Sequence, residues 1–66
     1  MEFQENETVF LEDASGKRYW LRVSFGMVKV SGLGAVDGSK LKGLSDGDCI
    51  SVVGREYTVF RPAVMD

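Results

Sequence analysis

Side chains able to do covalent or acid–base chemistry are scarce in this 66-residue chain. There is no histidine, and Cys49 is the single cysteine. Neither a nucleophile–base pair nor a zinc site of cysteine and histidine ligands can therefore be assembled. The 10 carboxylates lie mostly in turns and in the acidic start of the chain, where they are usually solvated. The sequence predicts that the chain is not an enzyme and holds no metal and no cofactor.

Cys49 belongs to the apolar run Cys-Ile-Ser-Val-Val. This context predicts a buried cysteine that acts as a small hydrophobic side chain. An unpaired cysteine is typical of reducing compartments, and the acidic amino terminus lacks the apolar run of a signal peptide. No apolar stretch approaches the length of a membrane span. We therefore expect a cytoplasmic protein without membrane contact.

The glycine-rich segment around Gly32, Gly34 and Gly38 is similar to a nucleotide-binding loop only in composition. Its third glycine comes one residue too late for the G-x-G-x-x-G pattern, and the glycines that follow leave no room for a long helix. The segment is therefore interpreted as a bulge and turns.

Basic residues are concentrated in the middle of the chain. The net charge of the whole chain is −2, which argues against strong nucleic-acid binding by the chain alone. Residues 17–42 nevertheless carry six basic residues and one acidic residue. If the chain contacts RNA, the predicted contacts are Lys17, Arg18, Arg22, Lys29, Lys40 and Lys42.

Trp20 lies within a strictly alternating segment. Tyr19, Leu21 and Val23 share one face of the predicted strand, so Trp20 lies on the opposite face between Arg18 and Arg22. Three interpretations stay open. Trp20 could stack a base while Arg18 and Arg22 hold phosphates. Alternatively, Trp20 could be the anchor of a protein interface, or it could cover one end of the core.

Short alternating runs separated by turn residues predict the elements that position these side chains. The expected strands are residues 8–12, 17–23, 27–30, 35–36, 48–53 and 56–61, with one helical turn at 39–41. Asp13-Ala14-Ser15-Gly16 is expected to close the first hairpin, and Gly54-Arg55 is expected to form a type II′ turn.

The predicted fold class is mainly β, a small open barrel or sandwich of five or six short strands with at most one helical turn. Residues 1–6 are expected to form an acidic tail, 7–62 the barrel-like domain, and 63–66 a tail or the start of a linker to a missing catalytic domain.

The order of these segments resembles a known accessory domain. The matching pieces are Val9-Phe10-Leu11, residues 16–23, Gly34-Ala35-Val36, residues 41–47, and residues 57–66 with their Arg-Pro-x-x-x-Asp ending. Together they resemble the small amino-terminal β domain of the tRNA 1-methyladenosine methyltransferases, the homotetrameric enzymes of archaea and bacteria. Members of that family commonly carry histidines near the positions of Gly34 and Leu41, and this chain has none.

The resemblance implies a non-catalytic accessory domain that packs on an S-adenosylmethionine-binding catalytic domain and contributes to tRNA docking. A second hypothesis is a free-standing protein-interaction module of SH3-like type, with Trp20 as the anchor and an apolar patch extended by Phe3, Phe25 or Met27. A third is a minimal RNA-binding barrel that acts alone.

Overall fold

Six short antiparallel strands and one turn of 3₁₀ helix make up the fold. The computed structural model describes residues 1–62. Its elements are β1 Thr8–Glu12, β2 Arg18–Arg22, β3 Met27–Val30, β4 Gly34–Asp37, the 3₁₀ helix Gly38–Leu41, β5 Cys49–Val52 and β6 Arg55–Phe60. The predicted mainly-β class is confirmed. The strands form two small sheets, and neither sheet closes into a barrel within residues 1–62.

The larger sheet has four strands in the order β2-β1-β6-β5, and the smaller sheet is the β3–β4 hairpin. All neighbouring strands are antiparallel. One apolar face of each sheet is turned toward a common core, because alternate residues of a strand point to opposite faces. The core residues are Phe3, Val9, Leu11, Leu21, Val23, Val30, Val36, Leu41, Ile50, Val52, Tyr57 and Val59.

The amino-terminal segment adds the largest side chain of this core apart from Tyr57. Phe3 is almost fully buried, and its amide donates a 2.8 Å hydrogen bond to the Leu44 carbonyl. The segment expected to be an acidic tail thus contributes a packed aromatic ring. The suggestion that Phe3 extends an exposed apolar patch is wrong for the same reason.

Asp13 closes the first hairpin, as the Asp13-Ala14-Ser15-Gly16 cluster predicted. Its Oδ1 accepts hydrogen bonds from the Ser15 amide at 2.9 Å, the Ser15 hydroxyl at 2.6 Å and the Lys17 amide at 3.0 Å. These bonds, led by the Ser15 hydroxyl, lower the pKa of Asp13 below its ordinary value. The lowered pKa favours the ionised form of the carboxylate that builds this turn.

The last hairpin turns one residue earlier than predicted. Val52 pairs with Arg55, so the turn residues are Val53 and Gly54, with φ values of 48° and 76°. Two positive φ values indicate a type I′ turn instead of type II′. The predicted register and the observed register place the same side chains toward the core. The alternation of apolar residues therefore could not distinguish the two registers. Hydrogen bonds at the far end of the pair, which join Val59 to Gly47 and Asp48, align the strands in the observed register.

Gly38 allows the 3₁₀ helix to pack against the bend between β2 and β3. Its amide donates a 2.7 Å hydrogen bond to the Gly26 carbonyl. A Cβ atom at position 38 would lie 1.8 Å from the Ser24 carbonyl oxygen and 2.6 Å from the Gly26 carbonyl oxygen. Only glycine fits this close approach of two backbones.

The single helical element within residues 1–62 is the 3₁₀ helix Gly38–Leu41. No helix there is long and apolar enough to cross a bilayer. No group of three or more histidine, cysteine, aspartate or glutamate side chains in this range could hold a metal ion.

Candidate functional site

The face of the four-stranded sheet that points away from the core carries a set of large side chains. Val9 and Leu11 of β1 point inward and belong to the core, so Phe10 between them points outward. The same alternation turns Trp20 of β2 and Phe60 of β6 to this side, which we call the outer face. An outward position for three aromatic residues is unusual in such a small domain.

Strand register brings the three rings into one line. Phe10 lies directly opposite Trp20 on one side and Phe60 on the other. The ring centroids of Phe10 and Trp20 are 5.2 Å apart, and those of Phe10 and Phe60 are 5.5 Å apart. We call Trp20, Phe10 and Phe60 the aromatic row. Its tilted rings lie within the range in which aromatic pairs attract each other.

The members of the aromatic row differ in how much surface they offer. Phe10 is only 7% exposed although it lies outside the core, because its neighbours on the outer face cover it. Trp20 is 54% exposed at the edge strand β2. The row therefore has a packed centre, Trp20 is its most exposed member, and Phe60 at the other end is half-buried. The interpretation that Trp20 covers an end of the core does not match this placement.

Charged side chains border the row. The Arg18 guanidinium lies 4.8 Å from the centroid of the Phe10 ring, and its Nε is 3.3 Å from Glu12 Oε1. Arg22, on the other side of Trp20, is exposed and lies opposite Thr8. Arg18 is thus partly neutralised, whereas Arg22 makes no ion pair within residues 1–62.

A hollow of about 260 Å³ opens beside the packed centre of the row. It is lined by Phe10, Phe60, Glu12, Arg18, Asp46 and Arg61. Asp46 is held there by the Arg61 amide, which donates a 2.7 Å hydrogen bond to its Oδ1. The hollow is too small for most organic ligands but can take a partner's side chain.

Arg61 itself serves the fold. Its guanidinium donates to the Glu7 carboxylate and to the backbone carbonyls of Met1 and Glu2, the latter two at 3.1 Å and 3.0 Å. It also lies 4.7 Å from the centroid of the Phe3 ring. These contacts fasten the amino-terminal segment to the end of β6. Arg61, the first residue of the Arg61-Pro62 pair in the family resemblance, is therefore an internal brace in this domain.

The six predicted RNA contacts are spread over several elements. Arg18 and Arg22 lie on β2 beside Trp20, with Lys17 just before that strand, where its Nζ lies 5.3 Å from the Tyr19 ring centroid. Lys29 is exposed on β3 in the smaller sheet. Lys40 and Lys42 lie in and just after the 3₁₀ helix, and Lys40 Nζ donates a 2.7 Å hydrogen bond to the Ser51 carbonyl at the edge of β5. Only Arg18 and Arg22 thus share the outer face with Trp20.

Cys49 is exposed, so the prediction that it is buried is wrong. Ile50 and Val52 take the inward positions of β5, which turns Cys49 and Ser51 to the outer face. The Cys49 sulfur lies 3.7 Å from the Thr58 hydroxyl oxygen on β6. Alternation places the polar Ser51 on the same face as Cys49, so the sequence held a signal for the exposure of Cys49.

Sequence reasoning missed Phe10 and Phe60 as parts of the site. The available signal was alternation, since Phe10 separates the inward residues Val9 and Leu11, and Phe60 follows the inward Val59. Their meeting depends on β1 lying between β2 and β6, which no local pattern specifies.

Compared with known proteins, the chain matches no family model and no curated protein sequence. The resemblance to the methyltransferase domain therefore rests on the segments quoted above.

Proposed function

We propose that this chain is a non-catalytic accessory domain that docks on a partner protein through its outer face. The observation that supports this most is the aromatic row, with a half-exposed tryptophan on the solvent side of a sheet. In line with the resemblance, the proposed partner is the S-adenosylmethionine-binding catalytic domain of a cytoplasmic tRNA adenine methyltransferase. The domain would support that enzyme without binding the methyl donor.

The energy available at Trp20 suits an interface anchor. A tryptophan side chain offers on the order of 250 Å², and about half of this surface is exposed in the domain. Covering that half would contribute about 3 kcal/mol at about 25 cal/mol per Å². Tryptophan and arginine are the residues most enriched among interface hot spots. Trp20 with Arg18 and Arg22 beside it matches that composition.

A protein partner fits this face better than a stretch of stacked bases. Phe10 has almost no free ring surface, because Trp20, Phe60 and Arg18 cover it. Trp20 offers an exposed ring to a base, whereas Phe60 is half-buried. Arg18 is also paired with Glu12, which reduces the charge available to a phosphate.

Direct docking of tRNA is the second candidate. Arg22 favours it, since this side chain is exposed next to Trp20 and makes no ion pair within residues 1–62. Phosphate contacts by Arg22, Lys29 and Lys42 would give binding that weakens steeply with salt.

The test begins with the natural gene, by reading the frame beyond the codon for Asp66. A frame that continues into a glycine-rich S-adenosylmethionine-binding domain supports the accessory role. A stop codon at that point would contradict the methyltransferase assignment and favour the free-standing interaction module.

The second step is a titration of the ¹⁵N-labelled 66-residue chain with the unlabelled catalytic domain. Amide shifts at the aromatic row, and at least tenfold weaker binding by Trp20→Ala, are expected. Ser39→Ala, on the exposed surface of the 3₁₀ helix, is the control. Total tRNA is titrated in parallel at low salt. Shifts around Arg22, Lys29 and Lys42 with none at the row would overturn protein docking in favour of the second candidate.

A further inference from the structure

A β-bulge places a carboxylate at the end of the aromatic row. Gly47 and Asp48 both lie opposite Val59, because the Gly47 amide donates to the Val59 carbonyl and the Val59 amide donates to the Asp48 carbonyl, each at 2.8 Å. Gly47 has a positive φ of 91°, which together with these hydrogen bonds defines a bulge of the glycine type. The extra residue brings Asp46 opposite Phe60, so these two side chains line the hollow together.

Asp46 has no cationic partner within residues 1–62. Arg18, which also lines the hollow, is paired with Glu12. The guanidinium of Arg61 is paired with Glu7. The Arg61 amide fixes Asp46 by donating to its Oδ1, and the Asp46 Oδ2 accepts no hydrogen bond from these residues. The hollow therefore keeps one unbalanced negative charge at a fixed position.

Guanidinium groups already lie over phenylalanine rings at two places in this domain. Arg18 lies 4.8 Å from the centroid of the Phe10 ring, and Arg61 lies 4.7 Å from that of Phe3. The face of such a ring is negative and attracts a cation. Phe60 is half-buried, lines the hollow, and has no cation of residues 1–62 over its ring. The hollow thus combines an accessible aromatic ring with an unpaired carboxylate.

We propose that the hollow receives an arginine side chain of the partner protein, with its guanidinium on the Phe60 ring and paired with Asp46. The inference rests on the proposed docking through the outer face and names the residue type that is recognised beside Trp20. A guanidinium suits the site better than an ammonium, because it is planar, stacks on rings and pairs with a carboxylate through two N–H groups. The volume of about 260 Å³ falls below the usual range of small-molecule sites, which favours a single side chain.

The test uses the ¹⁵N-labelled chain and Nα-acetyl-arginine N-methylamide, a probe that carries the proposed side chain alone. Expected are saturable amide shifts at Asp46, Gly47 and Arg61, with a dissociation constant on the order of 10 mM. The citrulline derivative, which has nearly the same shape without the charge, should bind at least fivefold more weakly. The lysine derivative should bind at least twofold more weakly, because its ammonium is not planar and cannot form the two-point pair.

Asp46→Asn separates the charge from the fold. The asparagine oxygen can still accept the hydrogen bond from the Arg61 amide, so this variant should fold normally but bind the arginine probe at least fivefold more weakly. Glu5→Gln is the control, since it removes the same charge from an exposed residue that does not line the hollow. Absence of saturable shifts up to about 50 mM, equal binding of the arginine probe and either other probe, or unchanged binding by Asp46→Asn would each overturn the proposal.

The catalytic domain then shows whether the proposed partner uses this site. Asp46→Asn should weaken binding of that domain at least threefold, in addition to the loss caused by Trp20→Ala. Binding that depends on Trp20 but not on Asp46 would overturn the inference and leave the proposed docking in place. Binding of the arginine probe without any binding of the catalytic domain would instead support the site and contradict the proposed partner.

Discussion

The Arg61 guanidinium lies 4.7 Å from the centroid of the Phe3 ring, which joins the last described strand to the start of the chain. The same guanidinium donates to Glu7 and to the carbonyls of Met1 and Glu2. A planar group with several donors makes all of these contacts at once. The two ends of the domain are thus held by one side chain packed on a buried ring.

We expect this brace to account for a large part of the domain's stability. Arg61→Ala should lower the free energy of unfolding by about 1–3 kcal/mol, because two carbonyls and the Glu7 carboxylate lose the hydrogen bonds that the guanidinium donates. Arg61→Lys should recover only part of the loss, since an ammonium cannot reach all three acceptors. Urea unfolding followed by the fluorescence of the single tryptophan measures the difference. Arg22→Ala, which removes an exposed arginine without an ion pair in residues 1–62, should change stability by less than about 0.5 kcal/mol.

Stability should fall in acid through Glu7. The hydrogen bond from Arg61, followed by that from the Gln4 amide, lowers the pKa of Glu7 below the ordinary glutamate value of 4.5. A group with a lowered folded-state pKa stabilises the fold above its unfolded pKa and loses this contribution as the pH falls through the folded value. The urea midpoint should therefore decrease as the pH is lowered below about 4.5.

Glu7→Gln should flatten part of this pH dependence and should reduce stability at neutral pH. Glu5→Gln is the control, because Glu5 makes no hydrogen bond within residues 1–62. The remaining slope should come partly from Asp13 and Asp37, whose pKa values are lowered mainly by the hydroxyls of Ser15 and Ser39. Parallel pH profiles for the two glutamine variants would contradict the assignment to Glu7.

Gly38→Ala should be strongly destabilising. A Cβ atom there would overlap the carbonyl oxygens of Ser24 and Gly26. Both oxygens belong to the backbone and cannot rotate away as a side chain could. We expect a loss of more than about 2 kcal/mol in the free energy of unfolding, or failure to fold. Gly26→Ala provides a matched control in the same contact region, because a Cβ atom at that position meets nothing within 4 Å and its φ is not positive. Similar stability of the two variants would contradict the close approach.

Val53→Asn should raise stability by about 0.5–1 kcal/mol, because asparagine tolerates a positive φ and favours the first position of a type I′ turn. Chemical unfolding with an unchanged slope against denaturant would show that the gain lies in the folded state. Asparagine placed at Met27, another exposed apolar position but within a strand, should bring no such gain. A destabilised Val53→Asn variant would contradict the assigned turn geometry.

The side of β2 on which each residue lies could be predicted from local alternation. Strict alternation placed Arg18, Trp20 and Arg22 together on one face, and the structure has all three exposed. Strand alternation is a local property with a period of two, so it can be read from a few consecutive residues. The mainly-β class, the Asp13 turn and the position of the helical turn were predicted from local patterns in the same way.

The neighbours of Trp20 on the outer face, in contrast, depend on the order of the strands in the sheet. Phe10 and Phe60 come from opposite ends of the chain, and they meet because β1 lies between β2 and β6. The burial of Phe3 likewise depends on which segment packs beside it. Strand order and packing are set by the total burial of apolar surface over the whole core. This total depends on residues far apart in the sequence, so it cannot be predicted from a local pattern.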